Sequence, residues 1–145
     1  PLDLLKQFDT IVVVDDSGSM NVTPEHQPGP SRWEEARDAL AGVVHLAASK
    51  DTDGIDVHFL NSEMYLEGCA NPAQVRSLFD SVVPDGPTPL GTKLEMLLLA
   101  YLDEIEDFKD RKAKGVLRPN QKEPKKRNYI VITDGARECR ASFML

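Results

Sequence analysis

The sequence predicts an α/β fold, a three-layer sandwich with helices on both faces of a mostly parallel central sheet. Two short runs of β-branched apolar residues, Thr10–Val14 and Tyr129–Thr133, are typical of strands buried on both faces of such a sheet. Segments with helical spacing of apolar residues separate the predicted strands, which gives the order β-α-β-β-α-α-β. The length of 145 residues is that of one domain, so we predict a single domain over residues 1–145.

The first helix is predicted to follow a loop with three prolines, Pro24–Pro30. Ser31 and Glu34 have the spacing of a capping box, in which the side chain of each residue bonds the backbone amide of the other. Apolar residues then recur at helical spacing as far as Lys50, namely Trp33, Ala36, Leu40, Val43, Val44 and Ala47.

Two strands are predicted after this helix. Ile55, Val57 and Phe59 alternate with polar residues, as expected for a strand with one face on the core. Met64–Leu66 is predicted as a short third strand, which follows a turn at Asn61-Ser62 and forms an antiparallel hairpin at the edge of the sheet.

Two further helices and a strand complete the predicted order. Asn71-Pro72 is a helix start, with a capping residue followed by proline at the first helical position. The apolar face of this second helix consists of Val75, Leu78, Phe79 and Val82. Pro84–Pro89 forms a loop, and Leu90 begins a long amphipathic helix. The stripe of this helix that is predicted to pack on the sheet consists of Leu94, Leu97, Leu98, Tyr101, Leu102, Ile105 and Phe108.

Composition narrows the possible partners and the compartment. The net charge of −7 argues against a general nucleic-acid binder, because such domains are usually basic. We see neither an apolar run long enough to span a bilayer nor a signal-peptide pattern, so we expect no membrane partner. Two widely separated cysteines, Cys69 and Cys139, favour reduced thiols over a disulfide scaffold. These observations favour a cytoplasmic or otherwise intracellular protein.

Basic residues are concentrated between Lys109 and Arg127. This segment holds nine Lys/Arg and two acidic residues, and Gly115, Pro119 and Pro124 lie within it. We predict a solvated loop over 109–127. A nuclear-import signal or a patch for an anionic partner is the alternative interpretation of this composition.

Oxygen-bearing side chains follow the first and last predicted strands. Asp15, Ser17 and Ser19 come at steps of two after the first strand, and Asp134 ends the last strand before Gly135. Thr88 lies between two prolines, just ahead of the long helix. In open α/β sheets, ligands bind outside the carboxyl ends of the strands, so we expect these five side chains to meet at one rim.

The five candidates, Asp15, Ser17, Ser19, Thr88 and Asp134, supply only hard oxygen ligands. Such a set suits Mg²⁺, Mn²⁺ or Ca²⁺ and disfavours zinc or copper. Because only two of the donors carry charge, a bound cation would keep Lewis acidity toward a further ligand. The remaining position could be filled by water or by an Asp or Glu oxygen of another protein.

Three motifs in this sequence resemble those of von Willebrand factor type A (VWA) domains. Asp15-x-Ser17-x-Ser19 after a buried strand is similar to the family's metal-ion-dependent adhesion site (MIDAS) signature. Thr88-Pro89-Leu90-Gly91 matches the family's threonine loop, and Thr133-Asp134-Gly135 matches its Thr-Asp-Gly turn. The resemblance spans the whole chain, and all five family ligands are present in order.

The resemblance implies a Rossmann-like VWA fold and a non-catalytic module. Such a module would bind a partner protein through Mg²⁺, or Mn²⁺ or Ca²⁺, with the partner supplying an Asp or Glu. Family members continue through two more strands, whereas Ala136–Leu145 shows no clear strand–helix pattern. The resemblance therefore also implies a domain that is incomplete at its C-terminal end, with the fourth strand at an unprotected edge.

Two other functions are compatible with parts of the pattern. A Mg²⁺-dependent phosphohydrolase of the haloacid dehalogenase type also has an Asp after its first strand, but it needs an acid two residues later, where this chain has Ser17. A scaffold subunit of an ATP-driven complex is the other alternative. The sequence has no phosphate-binding Gly-x-x-x-x-Gly-Lys-Ser/Thr motif, so the ATPase would then be a partner.

Plainer structural roles compete with each candidate residue. Asp15, Ser17 and Ser19 could form only a turn or helix cap, and Thr88 could form only a rigid turn. Asp16 is predicted to face solvent or to support a ligand. The three histidines (His26, His45 and His58) are interpreted as structural or solvated, because no acid or nucleophile converges on them in the sequence.

Overall fold

A computed structural model describes residues 6–23, 25, 28–49 and 53–136. Within these residues the chain forms four strands, three helices and one turn of 3₁₀ helix at Gly18–Asn21. The strands are β1 (Phe8–Val14), β2 (Ile55–Phe59), β3 (Tyr65–Cys69) and β4 (Lys126–Ile132). The helices are α1 (Arg32–Ala48), α2 (Pro72–Asp80) and α3 (Leu90–Lys114). The predicted order of elements is confirmed.

The sheet is mixed and has the strand order β3-β2-β1-β4. β1 pairs in parallel with β2 and β4, and β3 pairs antiparallel with β2. Val14 is in register with Phe59 on one side and with Ile132 on the other. The last residue of β1 therefore lies between the carboxyl ends of its two neighbours, as the α/β prediction requires.

Apolar side chains of β1 alternate between the two faces of the sheet. Val12 and Val14 belong to a core cluster on the α1 and α2 side, and Ile11 and Val13 belong to a second cluster with the start of α3. β1 can be apolar at every one of these positions because helices cover both of its faces.

Three aromatic rings fill the core under α1. The Trp33 ring lies 4.4 Å from that of Phe79 and 5.6 Å from that of Phe59, measured between centroids. Tilted ring pairs at these distances add stability beyond the apolar area that they bury. Trp33 thus packs α1 onto the sheet through Phe59 of β2.

Capping residues fix where α1 and α2 begin. The Ser31 hydroxyl accepts a hydrogen bond from the Glu34 amide (3.2 Å), and the Glu34 carboxylate accepts one from the Ser31 amide (2.8 Å). α2 starts in the same way, with Asn71 as the cap and Pro72 at its first position. The first residue of α1 is consequently held at a defined place beside the end of the sheet.

The third strand begins later than predicted. It runs over Tyr65–Cys69, whereas Met64–Leu66 was expected. The Ser62 hydroxyl accepts a hydrogen bond from the Met64 amide, which keeps Met64 in the turn. Cys69, which is fully buried, then pairs with Ile55 at the other end of the hairpin. The antiparallel edge position itself is confirmed.

The basic segment 109–127 is not one loop, contrary to prediction. Its first six residues complete α3, which ends at Gly115 with a left-handed φ of 69°. Lys and Arg are good helix formers and are favoured near the negative end of the helix dipole. Its last two residues, Lys126 and Arg127, open β4, so the loop is 115–125.

Several cations of the basic segment have acidic partners. Arg111 pairs with Asp107 at 2.9 Å, Arg127 pairs with Glu104 at 2.6 Å, and Lys125 pairs with Asp53. The pairs of Lys125 and Arg127 tie the end of the segment to Asp53, shortly before β2, and to α3, whereas the Arg111–Asp107 pair lies within α3. The import signal or anionic-partner patch stays a prediction.

The apolar stripe of α3 is wider than the surface that it covers. Leu98 and Leu102, both predicted to pack on the sheet, are 46% and 50% exposed. Leu94 and Leu97 contact the sheet cluster, and Phe108 is buried, so one flank of the predicted stripe faces solvent.

Within the ranges that the structure describes, no helix has the length and hydropathy to cross a bilayer.

β4 is half-buried, whereas a fully buried strand was predicted. Tyr129 and Val131 pack against the α3 cluster, but Ile130 on the other face is 46% exposed. β4 lies at an edge of the sheet, and no other described strand pairs with its outer side. The prediction that the fourth strand lies at an edge is confirmed.

We expect the 145-residue chain to self-associate, because an exposed edge strand with an apolar side chain can pair with another molecule. Ile130→Lys should reduce this association, and sedimentation velocity over a range of concentrations measures it. Val43→Lys is the matched control, because Val43 is 45% exposed but lies on α1. A parent chain that sediments as a monomer at all concentrations would contradict the expectation.

Candidate functional site

The Asp15 carboxylate is buried at the carboxyl end of the central strand. Its backbone amide donates to the Ile132 carbonyl (2.8 Å), which extends the pairing of β1 with β4 by one residue. One carboxylate oxygen accepts the Ser17 amide at 2.9 Å, and the other accepts the Thr133 hydroxyl at 2.6 Å. The side chain is thus held by both strand ends that the sequence predicted to meet.

Asp15 forms no ion pair in the described part of the chain. It is 0% exposed, and no Lys, Arg or His among the described residues pairs with it. Only neutral donors bond its two oxygens. Buried charges in proteins are normally paired or coordinate a metal, so this carboxylate is a position where a cation would be favoured.

Ser17 and Ser19 present their hydroxyls side by side. Their oxygens are 3.1 Å apart, with Ser17 buried and Ser19 half-buried in the 3₁₀ turn. Ser17 precedes the 3₁₀ turn with an extended backbone (ψ 163°), and Ser19 lies within the turn. The structure brings both hydroxyls to the predicted rim.

Asp134 follows β4 and points into the same rim. Its side chain is 3% exposed, and one of its oxygens is 2.8 Å from Nη1 of Arg32. The other oxygen accepts the Ala136 amide at 2.8 Å. Burial pushes the pKa of this carboxyl up, but hydrogen bonds from Ala136, the Ser19 hydroxyl and Arg32 outweigh it and lower the pKa. Asp134 is therefore ionised at neutral pH.

The loop that carries Thr88 is docked against the rim. Gly18 donates its amide to the Gly86 carbonyl (3.1 Å), and Asp85 donates to the Asp16 carbonyl (2.8 Å). Asn61 fixes the same loop by donating its side-chain amide to the Pro87 carbonyl at 2.6 Å. Thr88 is half-buried, and no hydrogen bond within the described ranges joins its hydroxyl to the other four candidates. Its loop is at the site, but a ligand role for its hydroxyl stays a prediction.

Asp16 has the second of the two roles predicted for it, that of supporting the site. It is 1% exposed and so does not face solvent. Its two oxygens accept the backbone amides of Asn61 and Ser62, each at 2.8 Å. These bonds close the turn between β2 and β3. Since both oxygens are used in this way, Asp16 supports the rim from outside the candidate ligand set.

Two residues of the site were not among the five candidates, namely Arg32 and Thr133, although Thr133 belongs to the Thr-Asp-Gly motif. Thr133 donates to Asp15, and its hydroxyl also accepts the Gly135 amide at 3.1 Å. A signal for Thr133 existed, since a hydroxyl immediately before Asp134 lies at the same strand end. Nothing local marked Arg32, because its contact joins residues 102 positions apart.

The described histidines and cysteine, His45, His58 and Cys69, contribute no nucleophile or base to this rim. His58 stacks on Tyr65 with 5.6 Å between ring centroids, and burial and the charge of Lys93 lower its pKa. His45 is exposed on α1. Burial raises the pKa of the Cys69 thiol, which keeps it protonated. His26 and Cys139 lie outside the described residues.

The donors at the rim fit a hard divalent cation that is held by few charges. Two carboxylates and two hydroxyls converge there, all of them oxygen ligands. The described residues contain no cluster of three or more His, Cys, Asp or Glu side chains suited to a metal. Any cation at this rim must therefore rely on hydroxyl oxygens, water or a further ligand from outside.

Comparison with protein-family models, with curated proteins and with solved structures finds no match for this chain. An assignment to a family therefore depends on the three sequence motifs and on the arrangement of the rim.

We expect Asp16→Ala to destabilise the fold, because two backbone amides would lose a charged acceptor. The free energy of unfolding should fall by about 2–4 kcal/mol, as measured by urea denaturation. Asp38→Ala is the control, because the Asp38 side chain is 53% exposed and its ion pairs with Arg37 and Arg76 are at the surface. That change should cost less than about 1 kcal/mol. Equal losses in the two variants would contradict the role given to Asp16.

Proposed function

We propose that this chain is a VWA-type domain that binds a divalent cation at the Asp15–Asp134 rim and through it an acidic group of a partner protein. The observation that carries the proposal is the buried Asp15 carboxylate, which forms no ion pair among the described residues and is followed directly by the paired hydroxyls of Ser17 and Ser19. A carboxylate in this state is costly unless a cation offsets its charge.

The ligand set supports a cation of the Mg²⁺ or Mn²⁺ type. Asp15, Ser17, Ser19 and Asp134 would hold it, and Thr88 would join from the docked loop. A cation bound there would supply a Lewis acid with only two negative charges around it, which favours an additional anionic oxygen. The protein's own part is to hold the hydroxyls together and keep Asp134 ionised.

The surroundings favour recognition over catalysis. Ser17 occupies the position where a phosphohydrolase of the haloacid dehalogenase type would need its acid, and its hydroxyl contacts only Ser19 among the described side chains. His58 is occupied in a stack with Tyr65 and does not activate a nucleophile. Because the described residues place no base or leaving-group acid at the rim, we expect a binding module that makes and breaks no covalent bond.

Metal binding is the first test of the proposal. Isothermal titration calorimetry should show Mn²⁺ or Mg²⁺ binding to the parent chain and at least about tenfold weaker binding to Asp15→Ala. A saturating cation should also stabilise the parent by about 2.7 kcal/mol at a concentration 100 times its Kd.

Asp103→Asn is the matched control for this experiment. It removes one negative charge from an exposed position on α3 and should leave Mn²⁺ affinity unchanged. If Asp15→Ala bound Mn²⁺ as tightly as the parent does, the assignment of the site would be lost.

Partner capture tests the second half of the proposal. Binding of a partner protein should vanish in EDTA and return with Mg²⁺. Ser19→Ala or Thr88→Ala should weaken it while leaving the circular dichroism spectrum unchanged, because each removes a neutral ligand from the rim. A panel of phosphate esters with Mg²⁺ separates this function from hydrolysis. Turnover that disappears in Asp15→Asn would overturn the proposal in favour of a phosphohydrolase.

A further inference from the structure

Arg32 and Asp134 form an asymmetric ion pair at the rim. The Asp134 side chain is 3% exposed, whereas that of Arg32 is 45% exposed. Asp134 also accepts a hydrogen bond from the Ala136 amide. The Arg32 backbone is fixed at the start of α1, where its amide donates a hydrogen bond to the Val22 carbonyl (3.1 Å). The Arg32 side chain can therefore move away from Asp134 without a change in the backbone, whereas Asp134 is held in place.

Arg32 supplies positive charge to a rim that holds two buried or nearly buried carboxylates. Among the described residues, no other Lys, Arg or His forms an ion pair with Asp134, and none does so with Asp15. Arg32 is therefore the one cation that pairs with a carboxylate of this rim among the described residues. In the absence of any other cation, the guanidinium offsets the charge of the carboxylate nearest to it.

The space in front of this ion pair allows Arg32 to move away. A groove of about 380 Å³ lies between α1 and the end of β4, and its lining includes Arg32, Glu35, Ala39 and Asp134. Glu35 is one turn further along α1 and offers another carboxylate to the guanidinium within the same groove. Leaving Asp134 would therefore return Arg32 to water or to an exposed acidic neighbour at small cost.

We infer that Arg32 and a divalent cation are alternative counter-ions of Asp134, so that Arg32 sets how tightly this site binds metal. The inference rests on the proposed function. Two positive groups on one carboxylate repel each other, and the more exposed of them leaves. Metal binding thus includes the loss of the ion pair, and removing the guanidinium removes that loss.

A purely structural role for Arg32 predicts the opposite result. If the guanidinium served only to orient Asp134 toward the cation, its loss would disorder a ligand and weaken metal binding. The sign of the change in affinity therefore distinguishes competition from positioning.

The test is Mn²⁺ titration calorimetry at low ionic strength on the parent, Arg32→Gln, Arg32→Lys and Arg37→Gln. Gln at position 32 keeps a hydrogen-bond donor without the charge, so its Kd should be about three- to tenfold lower than that of the parent. Lys keeps the charge and should stay near the parent value. Arg37 also lies on α1 but pairs with Asp38, so Arg37→Gln should change Kd by less than about twofold.

A second readout follows the arginine itself. The side-chain Nε resonance of Arg32, assigned by its absence in Arg32→Gln, should shift when diamagnetic Mg²⁺ is added, and that of Arg37 should not. Unchanged or weaker Mn²⁺ binding in Arg32→Gln, with a normal parent affinity, overturns the inference and leaves the proposed function intact. Absence of binding in both proteins overturns both.

Discussion

The structure depends on how two successive carboxylates are buried at the end of its central strand. Asp15 is 0% exposed and Asp16 is 1% exposed, and neither has a cationic partner among the described residues. They accept hydrogen bonds from opposite sides of β1. Asp15 accepts the Thr133 hydroxyl beyond β4, and Asp16 accepts the amides of Asn61 and Ser62 beyond β2. Each carboxylate thereby fixes one neighbouring connection, which is why hydrogen-bond donors of three segments converge on a single strand end.

The two carboxylates differ in the kind of hydrogen-bond donor that each one accepts. Asp16 bonds two backbone amides, which are obligatory donors that need an acceptor wherever they are buried. These two hydrogen bonds make Asp16 part of the fold. Asp15 accepts one amide and one hydroxyl, and the paired hydroxyls of Ser17 and Ser19 follow in the next turn of the chain. Burial thus leaves Asp15 as a candidate ligand and Asp16 as a structural residue, because the two carboxylates accept different hydrogen-bond donors.

Local patterns predicted most of the fold and part of the site. The capping residues Ser31 and Asn71, the β-branched runs and the helical spacing act over a few residues, so the sequence displays them directly. Exposure of Leu98 and the half-buried state of β4 depend on what packs beside them, which periodicity does not encode. Asp15, Ser17 and Ser19 were predicted together because one turn holds them. The Arg32–Asp134 pair joins distant positions through the fold, and no spacing rule could indicate it.

The two halves of the candidate site are attached to strands of unequal burial. Asp15 follows β1, whose last four residues are fully buried, whereas Thr133 and Asp134 follow β4, an edge strand without a fully buried residue. The backbone pairing of β1 with β4 and the Thr133–Asp15 hydrogen bond are what hold these halves in register. A cation bound to both Asp15 and Asp134 would link the carboxyl end of β1 to that of β4, the less buried of the two strands. By linkage, any ligand that requires both halves to be in place stabilises the arrangement that it binds. Cation affinity should therefore depend on how stably β4 pairs with β1. A substitution that weakens this strand pairing should also weaken cation binding, even where the substituted residue contacts none of the ligands.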